Sequence, residues 1–402
     1  MHAYIVTTEK TLQPFGEHPR ECLIGNVSLQ RVQLQALKQA GLNPVRVDSA
    51  ADIRDHDAHL ILEDRLFFTP ELIAHFIAQS RTQGTSTQCA LKPGPVTDTT
   101  AAATQGLAMS EGAFVYDLRF EPAARLRGVP SLVLIDPEQD YEPIQVSRHM
   151  TPLREPRLPI SDLLLIRVDH WVNLWAANLS VLIADIARLK KNKLRLLWLA
   201  LRARSLNKWD VLRANNVIGR NCDIHPTAYV EGSRIGDGTQ IGAGAVVRGS
   251  WIGAGSRILN RATVELSVLG EGVHIMNGCT AQFSVLYAGH LAMSNLVSLS
   301  LCGRDTFVGD GATLADFRFD GRSVRVLKDG KAIDSGITFL GGCLCHGAYL
   351  GAGCILAPGR TIANGWRISR ESGVIKDARE GQELDGLRVL TVDNADKALT
   401  PV

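Results

Sequence analysis

The chain has 402 residues, of which 45% are hydrophobic and 21% charged, and its formal net charge is +2. This length exceeds what one small core organises and predicts two domains, or one domain followed by a repeat array. The weak net charge and the lack of a basic block interleaved with aromatic residues argue against nucleic-acid binding.

The eight cysteines are scattered along the sequence, and the first residues turn polar too early for a secretory segment. This pattern predicts reduced thiols and a cytoplasmic protein. The strongly apolar stretches, such as residues 196–201, are much shorter than a membrane span. We therefore expect no transmembrane segment.

Residues 1–160 alternate between short apolar runs and amphipathic stretches. "AYIVTT", "PVRV" and "AHLILED" are typical of strands, whereas "SLQRVQLQALKQAG" and "TPELIAHFIAQ" have helical periodicity. The alternation predicts an α/β domain over residues 1–170 with a largely parallel, Rossmann-like sheet.

Residues 171–212 are predicted to form a helical linker. Within it, "LKKNKLRLLWLALRAR" is basic and amphipathic. Two interpretations of residues 188–204 remain open: a peripheral membrane contact, or a helix that simply joins two domains.

A new period begins at Ile218. Aliphatic or small residues recur in steps of six, six and five, and the pattern repeats four times to give a 17-residue period. Such a period indicates a β-helix, in which each turn has three short strands and each strand sends one side chain to the axis. We assign the β-helix to residues 213–364.

The period is irregular over residues 286–302, where no six-six-five assignment fits. A hairpin-like excursion over residues 315–339 then interrupts the repeat, which resumes in sixes at Leu344. Residues 365–402 are predicted to be a tail. Because the earlier turns are regular, the irregular stretch is where we expect a site.

The repeat resembles the left-handed parallel β-helix of hexapeptide-repeat acyltransferases. "SLCGRDTFVGDGATLADFRFDGRSVRV" and "LGAGCILAPGRTI" are similar, more specifically, to the bifunctional sugar-1-phosphate nucleotidyltransferase/amino-sugar acetyltransferases. The resemblance implies a homotrimer that binds acetyl-CoA and a small sugar or sugar-phosphate acceptor between neighbouring β-helices.

The first domain resembles the nucleotidyltransferase domain of the same family in shortened form. By this resemblance Arg20, in "PFGEHPRECLIGN", stands where the family binds substrate phosphate with lysine. Asp64 in "LILED" and Asp169 in "IRVDHW" correspond to the carboxylates that would bind Mg²⁺. The family's glycine-rich phosphate loop is replaced by the glycine-free "TTEKTL", which predicts a degenerate domain without nucleotidyl transfer.

Acyl transfer needs a base to deprotonate the acceptor, and histidine is the usual choice. The resemblance places that base at His290, with Asn295 nearby as a substrate-binding residue, and His346 is the competing candidate. A solvent-facing histidine at a β-helix corner is the alternative for His290. Three arginines are predicted to bind the phosphates of CoA, although a solvated basic hairpin has the same composition: Arg304, Arg318 and Arg322.

Three functions follow. The first is an acyltransferase that moves an acetyl or similar group from CoA to an amino-sugar or sugar-nucleotide-like acceptor. The second is a non-catalytic trimeric scaffold or regulatory protein. The third is a sugar-1-phosphate nucleotidyltransferase that works without the glycine loop.

Overall fold

A computed structural model describes residues 1–54, 57–123, 129–143, 157–293, 296–370, 383–384 and 387–388. It contains an α/β domain followed by a left-handed parallel β-helix, so the predicted fold class is confirmed. An antiparallel pair of short strands, Glu383–Leu384 and Leu387–Arg388, lies in the predicted tail.

The first domain is built around one sheet. Its strands in spatial order are Ser131–Ile135, Thr87–Leu91, Ala113–Glu121, His59–Glu63, His2–Val6 and Asn43–Val47. The neighbours pair in parallel except where Ala113–Glu121 runs antiparallel to both adjacent strands. Ala108–Ser110 pairs with the same long strand. The sheet is therefore largely parallel, as the alternating pattern predicts.

Helices and shorter elements surround this sheet. The helices are α1 (Leu29–Gln39), α2 (Pro70–Gln83) and α3 (Pro95–Thr99), and the 3₁₀ turns are Pro19–Glu21, Ala50–Asp52 and Ala102–Thr104. The antiparallel strand pairs are Leu23–Ile24 with Val27–Ser28, Leu66–Phe68 with Leu165–Arg167, and Asp140–Pro143 with Arg157–Ile160. Helices α1 and α2 bury apolar faces, as their periodicity predicts.

Three helices connect the sheet to the β-helix: α4 (Trp171–Lys191), α5 (Lys193–Ala203) and α6 (Lys208–Ala214). Among the described residues, α4 is the one helix long and apolar enough to cross a membrane by length and composition, and 67% of that apolar window is buried in the protein. A helix buried in a protein core meets the same criteria of length and apolar composition. Since its first two turns are buried on nearly every side, α4 is packed as a core element rather than as a linker.

The β-helix has three faces of stacked parallel strands. The first comprises Val217–Ile218, Arg234–Ile235, Trp251–Ile252, Val268–Leu269, Val285–Leu286, Leu301–Cys302, Cys343–Leu344 and Thr361–Ile362. The second comprises Asp223–Ile224, Gln240–Ile241, Arg257–Ile258, His274–Ile275, Leu291–Ala292, Phe307–Val308, Tyr349–Leu350 and Arg367–Ile368. The third comprises Tyr229–Glu231, Val246–Arg248, Thr263–Glu265, Thr280–Gln282 and Leu296–Ser298, and beyond it Thr313–Leu314 pairs with Ile355–Leu356.

The irregular stretch at residues 286–302 stays within the β-helix. Leu286, Ala292, Val297 and Cys302 are all buried, and their spacing of six, five and five makes this turn one residue shorter than the others. The third-face strand Leu296–Ser298 still pairs with Thr280–Gln282. The strand pairing therefore absorbs the missing residue, and a site in this stretch stays a prediction.

The excursion leaves the coil after Leu314 and carries a hairpin of Arg325–Lys328 with Lys331–Asp334. Its tip, Asp329 and Gly330, has positive φ angles of 50° and 70°, which is the geometry of a tight two-residue turn. The stacked rings of Phe317 and Phe339 close its base, with centroids 5.1 Å apart. The coil then resumes at the predicted spacing of six.

The two domains share one hydrophobic core. We call this cluster the shared core; it includes Leu12, Phe15, Val168, Trp171, Trp175, Tyr287, Leu301, Val324, Val326, Leu340, Cys343 and Cys345. These residues come from the first domain, α4, the β-helix and the excursion. The excursion therefore packs against the first domain rather than extending into solvent.

Candidate functional site

Asp64 lies at the carboxyl end of the strand His59–Glu63, as the sequence predicts for a metal-binding residue. Its carboxylate is fully buried, and Oδ1 accepts hydrogen bonds from the amide and the hydroxyl of Thr8, at 3.1 and 2.8 Å. His18 Nε2 is 3.6 Å from Oδ2 and 2.6 Å from the carbonyl oxygen of Thr8. The segment that replaces the glycine loop therefore closes on Asp64 instead of leaving space for a phosphate.

Asp169, the second predicted metal carboxylate, is bound by Arg65. Arg65 Nη1 donates to both oxygens of Asp169, at 2.9 and 2.8 Å, and its Nε donates to Glu63 at 2.5 Å. Burial alone would lower the pKa of Arg65, but the hydrogen bond that it donates to Glu63 and the charge of Asp169 outweigh burial and raise it. A permanent cation thus occupies the position between these carboxylates.

These contacts do not fit a Mg²⁺ site. The ion requires several free oxygen ligands, whereas Asp64 offers only Oδ2, which has no hydrogen-bond partner among the described residues, and Arg65 engages both oxygens of Asp169. Across the part of the chain that the structure describes, no group of three or more His, Cys, Asp or Glu side chains has a metal-binding arrangement. Arg65 neutralises Asp169 and Glu63, whereas Asp64 follows a strand of the main sheet and is bound by Thr8.

The excursion hairpin lies against the first domain next to Asp169. The carbonyl oxygen of Leu327 accepts a hydrogen bond from His170 Nε2 at 3.0 Å, and Lys328 Nζ donates to the carbonyl oxygen of Thr104 at 2.8 Å. Burial lowers the pKa of Lys328 and that of His170, the latter to about 4. The hairpin tip is therefore a fixed contact with the first domain.

His290, the first predicted base, points into the β-helix. Its side chain is fully buried, Nδ1 lies 2.7 Å from the hydroxyl of Thr306, and Nε2 has no hydrogen-bond partner among the described residues. Burial lowers the pKa of His290 to about 3. The expectation of an accessible base facing a cleft is corrected, as is the alternative of a solvent-facing corner residue.

The sequence contains the signal for this burial. His290 belongs to a column of buried corner residues spaced by one turn of the coil: Thr239, Ser256, Val273, His290 and Thr306. Each of these residues directly precedes a strand of the second face. The 17-residue period of the sequence therefore identifies the column as well as the strands. His290 is therefore the one large polar side chain at an interior position that small residues fill elsewhere.

His346, the competing base, lies between the β-helix and the first domain. Its Nδ1 accepts a hydrogen bond from the amide of Arg304 at 2.9 Å, and its Nε2 is 3.4 Å from Glu17 Oε2. Arg304 Nη1 reaches the same oxygen at 3.2 Å. Burial on its own would raise the pKa of Glu17. The hydrogen bond from His346 and the positive charge of Arg304 outweigh burial, so the pKa of Glu17 is lowered overall.

The structure thus unites two predicted residues, His346 and Arg304, with a third that sequence reasoning missed. Glu17 gives no sequence signal, because it precedes Arg304 by 287 residues and meets it only after the domains pack. One of its oxygens, Oε1, is buried without a partner among the described residues. Both ring nitrogens of His346 are engaged by groups of this chain.

The other predicted binding residues do not join this cluster. Arg318 pairs with Asp320, Arg322 is exposed with its amide bound to the same carboxylate, and Arg20 lies 3.9 Å from Glu21. Within the described ranges, no hydrogen bond or ion pair connects these arginines to Arg304 or His346. Asn295 lies outside the described residues.

Comparison with known protein families matches residues 205–294 to the GMPPB C-terminal domain, a left-handed β-helix domain of hexapeptide type found in sugar-1-phosphate nucleotidyltransferases. The matched span is less than a quarter of the 402 residues and ends before the excursion. No curated protein matches the chain. In its β-helix the protein is therefore similar to sugar-1-phosphate nucleotidyltransferases.

Proposed function

We propose that this protein is a nucleotidyltransferase-like scaffold that does not transfer nucleotides and that assembles through its β-helix. The observation that carries the proposal is the contact of Arg65 Nη1 with both oxygens of Asp169. A nucleotidyltransferase needs its carboxylates to hold a divalent cation against the phosphates of two substrates. Here the guanidinium satisfies the carboxylate within the protein itself.

Two further features support the same conclusion. Thr8 lies in the segment that stands in place of the family's phosphate loop, and its amide and hydroxyl are directed at Asp64. The excursion hairpin lies against the first domain through Leu327 and Lys328, which contact His170 and Thr104. Substrate entry would require both segments to move and would break these hydrogen bonds.

Acyl transfer from acetyl-CoA to a sugar acceptor is the second candidate function. The observation that favours it is the contact between Glu17 and His346, since a carboxylate that orients an imidazole is a recurring arrangement for general bases. Because Nδ1 accepts from the amide of Arg304, the neutral ring carries its proton on Nε2, which faces Glu17, so a base role would require the bond to Nδ1 to open. Under either proposed function, the homotrimer that the resemblance implies would place the β-helix of a second copy next to this one.

Two assays on the purified chain test the proposal. Pyrophosphate release is followed with each common nucleoside triphosphate, a panel of sugar 1-phosphates and Mg²⁺ or Mn²⁺, and free thiol is followed with acetyl-CoA and a panel of amino sugars. We expect no turnover above a protein-free blank in either assay, and a trimer by sedimentation.

Either activity overturns the scaffold proposal, and matched variants identify which one applies. Pyrophosphate release that disappears in Asp169→Asn would establish nucleotidyl transfer. Thiol release that disappears in His346→Gln would establish acyl transfer. Binding of Mn²⁺ by the wild type, measured by electron paramagnetic resonance and lost in Asp169→Asn, would contradict the assignment of Arg65 as the permanent partner of that carboxylate.

A further inference from the structure

The outer side of α5 is an exposed apolar stripe. Leu194, Leu197, Trp198 and Leu201 occupy positions i, i+3, i+4 and i+7, so they lie on one face of the helix. Their exposed fractions are 81%, 57%, 56% and 68%. Large apolar side chains usually bury most of their surface, and a contiguous group of this kind marks an interaction site.

The opposite side of α5 is packed, which fixes the direction of the stripe. Leu199 is fully buried, and Leu196 and Ala200 are half-buried. The amide of Arg195 is capped by the side chain of Asn192 at 2.9 Å. The stripe therefore faces outward because the helix is held in place on its other side.

The apolar surface extends beyond α5. Leu206 and Trp209 are exposed in the segment that leads into and begins α6, and Val217 and Ile218 are exposed in the first strand of the β-helix. In the complete turns that follow, the equivalent inward residues Ile235 and Ile252 are buried. The stripe therefore belongs to the segment that leads into the first turn of the β-helix, whose apolar residues are also exposed.

The chain around the stripe is rich in basic residues, although Asp210 follows directly in α6 and Glu71 and Asp162 line a pocket with Lys193 and Leu194. Residues 186–209 contain no Asp or Glu, and their eight basic residues are Arg188, Lys190, Lys191, Lys193, Arg195, Arg202, Arg204 and Lys208. The first three pair with carboxylates, among them Glu71, Asp140 and Asp162 of the first domain. For the other five, no carboxylate of the described residues lies within ion-pair distance.

Two of these unpaired cations lie beside the exposed tryptophans. The guanidinium of Arg202 is 5.5 Å from the centre of the Trp198 ring, and Lys208 Nζ is 4.4 Å from that of Trp209. Tryptophan rings flanked by basic side chains suit the boundary between lipid headgroups and acyl chains, where the ring is partly dry and the cation reaches phosphate.

We propose that α5 binds the surface of a bilayer that contains anionic phospholipids, with the stripe inserted among the headgroups and the five unpaired cations around it. An amphipathic helix with a basic polar face lies in the plane of such an interface. A second copy of the chain fits less well, because a two-fold contact through this stripe would bring the same unpaired cations together. The proposal does not depend on whether the chain catalyses a reaction.

Vesicle co-sedimentation of the full chain tests the proposal. Vesicles of phosphatidylcholine alone are compared with vesicles in which about a third of the lipid is phosphatidylglycerol, at about 0.1 M salt and again at about 0.5 M. We expect at least about tenfold tighter binding to the anionic vesicles, and loss of most of that preference at high salt. Tryptophan emission is expected to shift to the blue on binding.

The decisive variant is Trp198→Glu, and Trp366→Glu is its matched control. Trp366 is a similarly exposed tryptophan on the last described turn of the β-helix, at 62% against 56%. We expect Trp198→Glu to weaken vesicle binding by about tenfold or more, and Trp366→Glu to change it by less than about twofold. Leu201→Glu is expected to repeat the first result with a different side chain, and circular dichroism checks that each variant is folded.

Several results would overturn the proposal. These are absence of binding to anionic vesicles, equal binding to both vesicle types, or equal effects of Trp198→Glu and Trp366→Glu. Sedimentation that shows self-association reversed by Trp198→Glu, without vesicle binding, would assign the stripe to a second copy of the chain instead.

Discussion

The interior of the β-helix and the shared core are equally apolar, but they are built from contacts of different range. In the β-helix a residue packs against those one turn away, as Ile241, Ile258 and Ile275 do on the second face. In the shared core the residues that cluster together are distant in sequence: Leu12 and Phe15 belong to the same cluster as Val324. The β-helix therefore depends on a local period, whereas the candidate sites depend on how two domains meet.

The largest expected effect is that of Trp171→Ala in the shared core. The Trp171 side chain is fully buried at the start of α4, in the cluster that also contains Val326 of the excursion. Its removal is expected to cost about 3–5 kcal/mol of unfolding free energy, since the transfer term and the cavity add. Denaturant unfolding followed by circular dichroism measures the loss.

The same variant tests whether the shared core joins the domains into one folding unit. We expect the wild type to unfold in one transition and Trp171→Ala in two, because the β-helix retains its own periodic core. Trp366→Ala, at an exposed position, is the control and is expected to change stability by less than about 0.5 kcal/mol. Two separate transitions in the wild type would contradict this coupling.

The next largest effect is expected at Gly25, where the first domain touches the β-helix. Gly25 has a φ of 58°, and a Cβ there would lie 2.5 Å from a ring carbon of Trp251. Gly25→Ala is expected to cost about 2–4 kcal/mol, from the left-handed backbone and from overpacking together. Gly41→Ala shares the positive φ but meets nothing within 4 Å, so about 1 kcal/mol is expected.

Thermal unfolding of both glycine variants isolates the effect of the domain contact. The backbone contribution is common to both, so the difference between them reports the displacement of Trp251. Equal losses at Gly25 and Gly41 would show that this contact is loose and would weaken the contrast between the two regions.

Acid is expected to destabilise both regions through one buried histidine in each. Burial lowers the pKa of His290 to about 3 and that of His170 to about 4, whereas the unfolded chain has the ordinary value of about 6.5. The unfolded state thus binds more protons below pH of about 6.5, and each histidine removes about 1.4 kcal/mol per pH unit until its folded value is reached. From pH of about 6 to about 4.5, each contributes a loss of about 2 kcal/mol.

Two substitutions separate these contributions. His290→Val introduces the residue that Val273 supplies one turn earlier, and His170→Asn keeps a side chain that caps α4. Each substitution is expected to reduce the loss of unfolding free energy between pH of about 6 and about 4.5 by the roughly 2 kcal/mol that one histidine contributes. This reduction is expected whatever the substitution does to stability at neutral pH. An unchanged slope in either variant would show that the histidine it replaces accepts a proton in the folded state.

The β-helix is the part of the structure that the sequence predicts best. The six-six-five period identifies the three faces, and it also contains the burial of His290, since that residue follows Val273 by 17 positions. The structure of the short turn at residues 286–302 is harder to predict. A repeat that lacks one residue has the same sequence pattern whether the coil opens at that point or tightens. Strand pairing in three dimensions decides between these outcomes.

The sites could be predicted only in part. Asp64 and Asp169 are recognisable by their positions after strands, but the sequence does not show that Arg65 reaches Asp169, 104 residues away. Similarly, the basic excursion resembles a phosphate-binding hairpin, and only its contact with His170 shows that its tip is used within the protein. Long-range contacts of this kind follow from domain packing, which leaves no period to detect.

The smallest expected effect tests the local character of the β-helix itself. Ile258→Val removes one methylene group from a fully buried position, at an expected cost of about 0.5–1.5 kcal/mol. Because each turn contacts only its neighbours, the loss should appear as about two- to tenfold faster hydrogen exchange at nearby amides, such as those of Gly242 and Leu259, which bond to Ile258 and Ile275. The amide of Val168, which bonds to Arg65 in the first domain, is the internal control and should keep its exchange rate. Faster exchange at Val168 as well would mean that the β-helix and the shared core open together, and the distinction between a locally stabilised coil and a coupled domain contact would not hold.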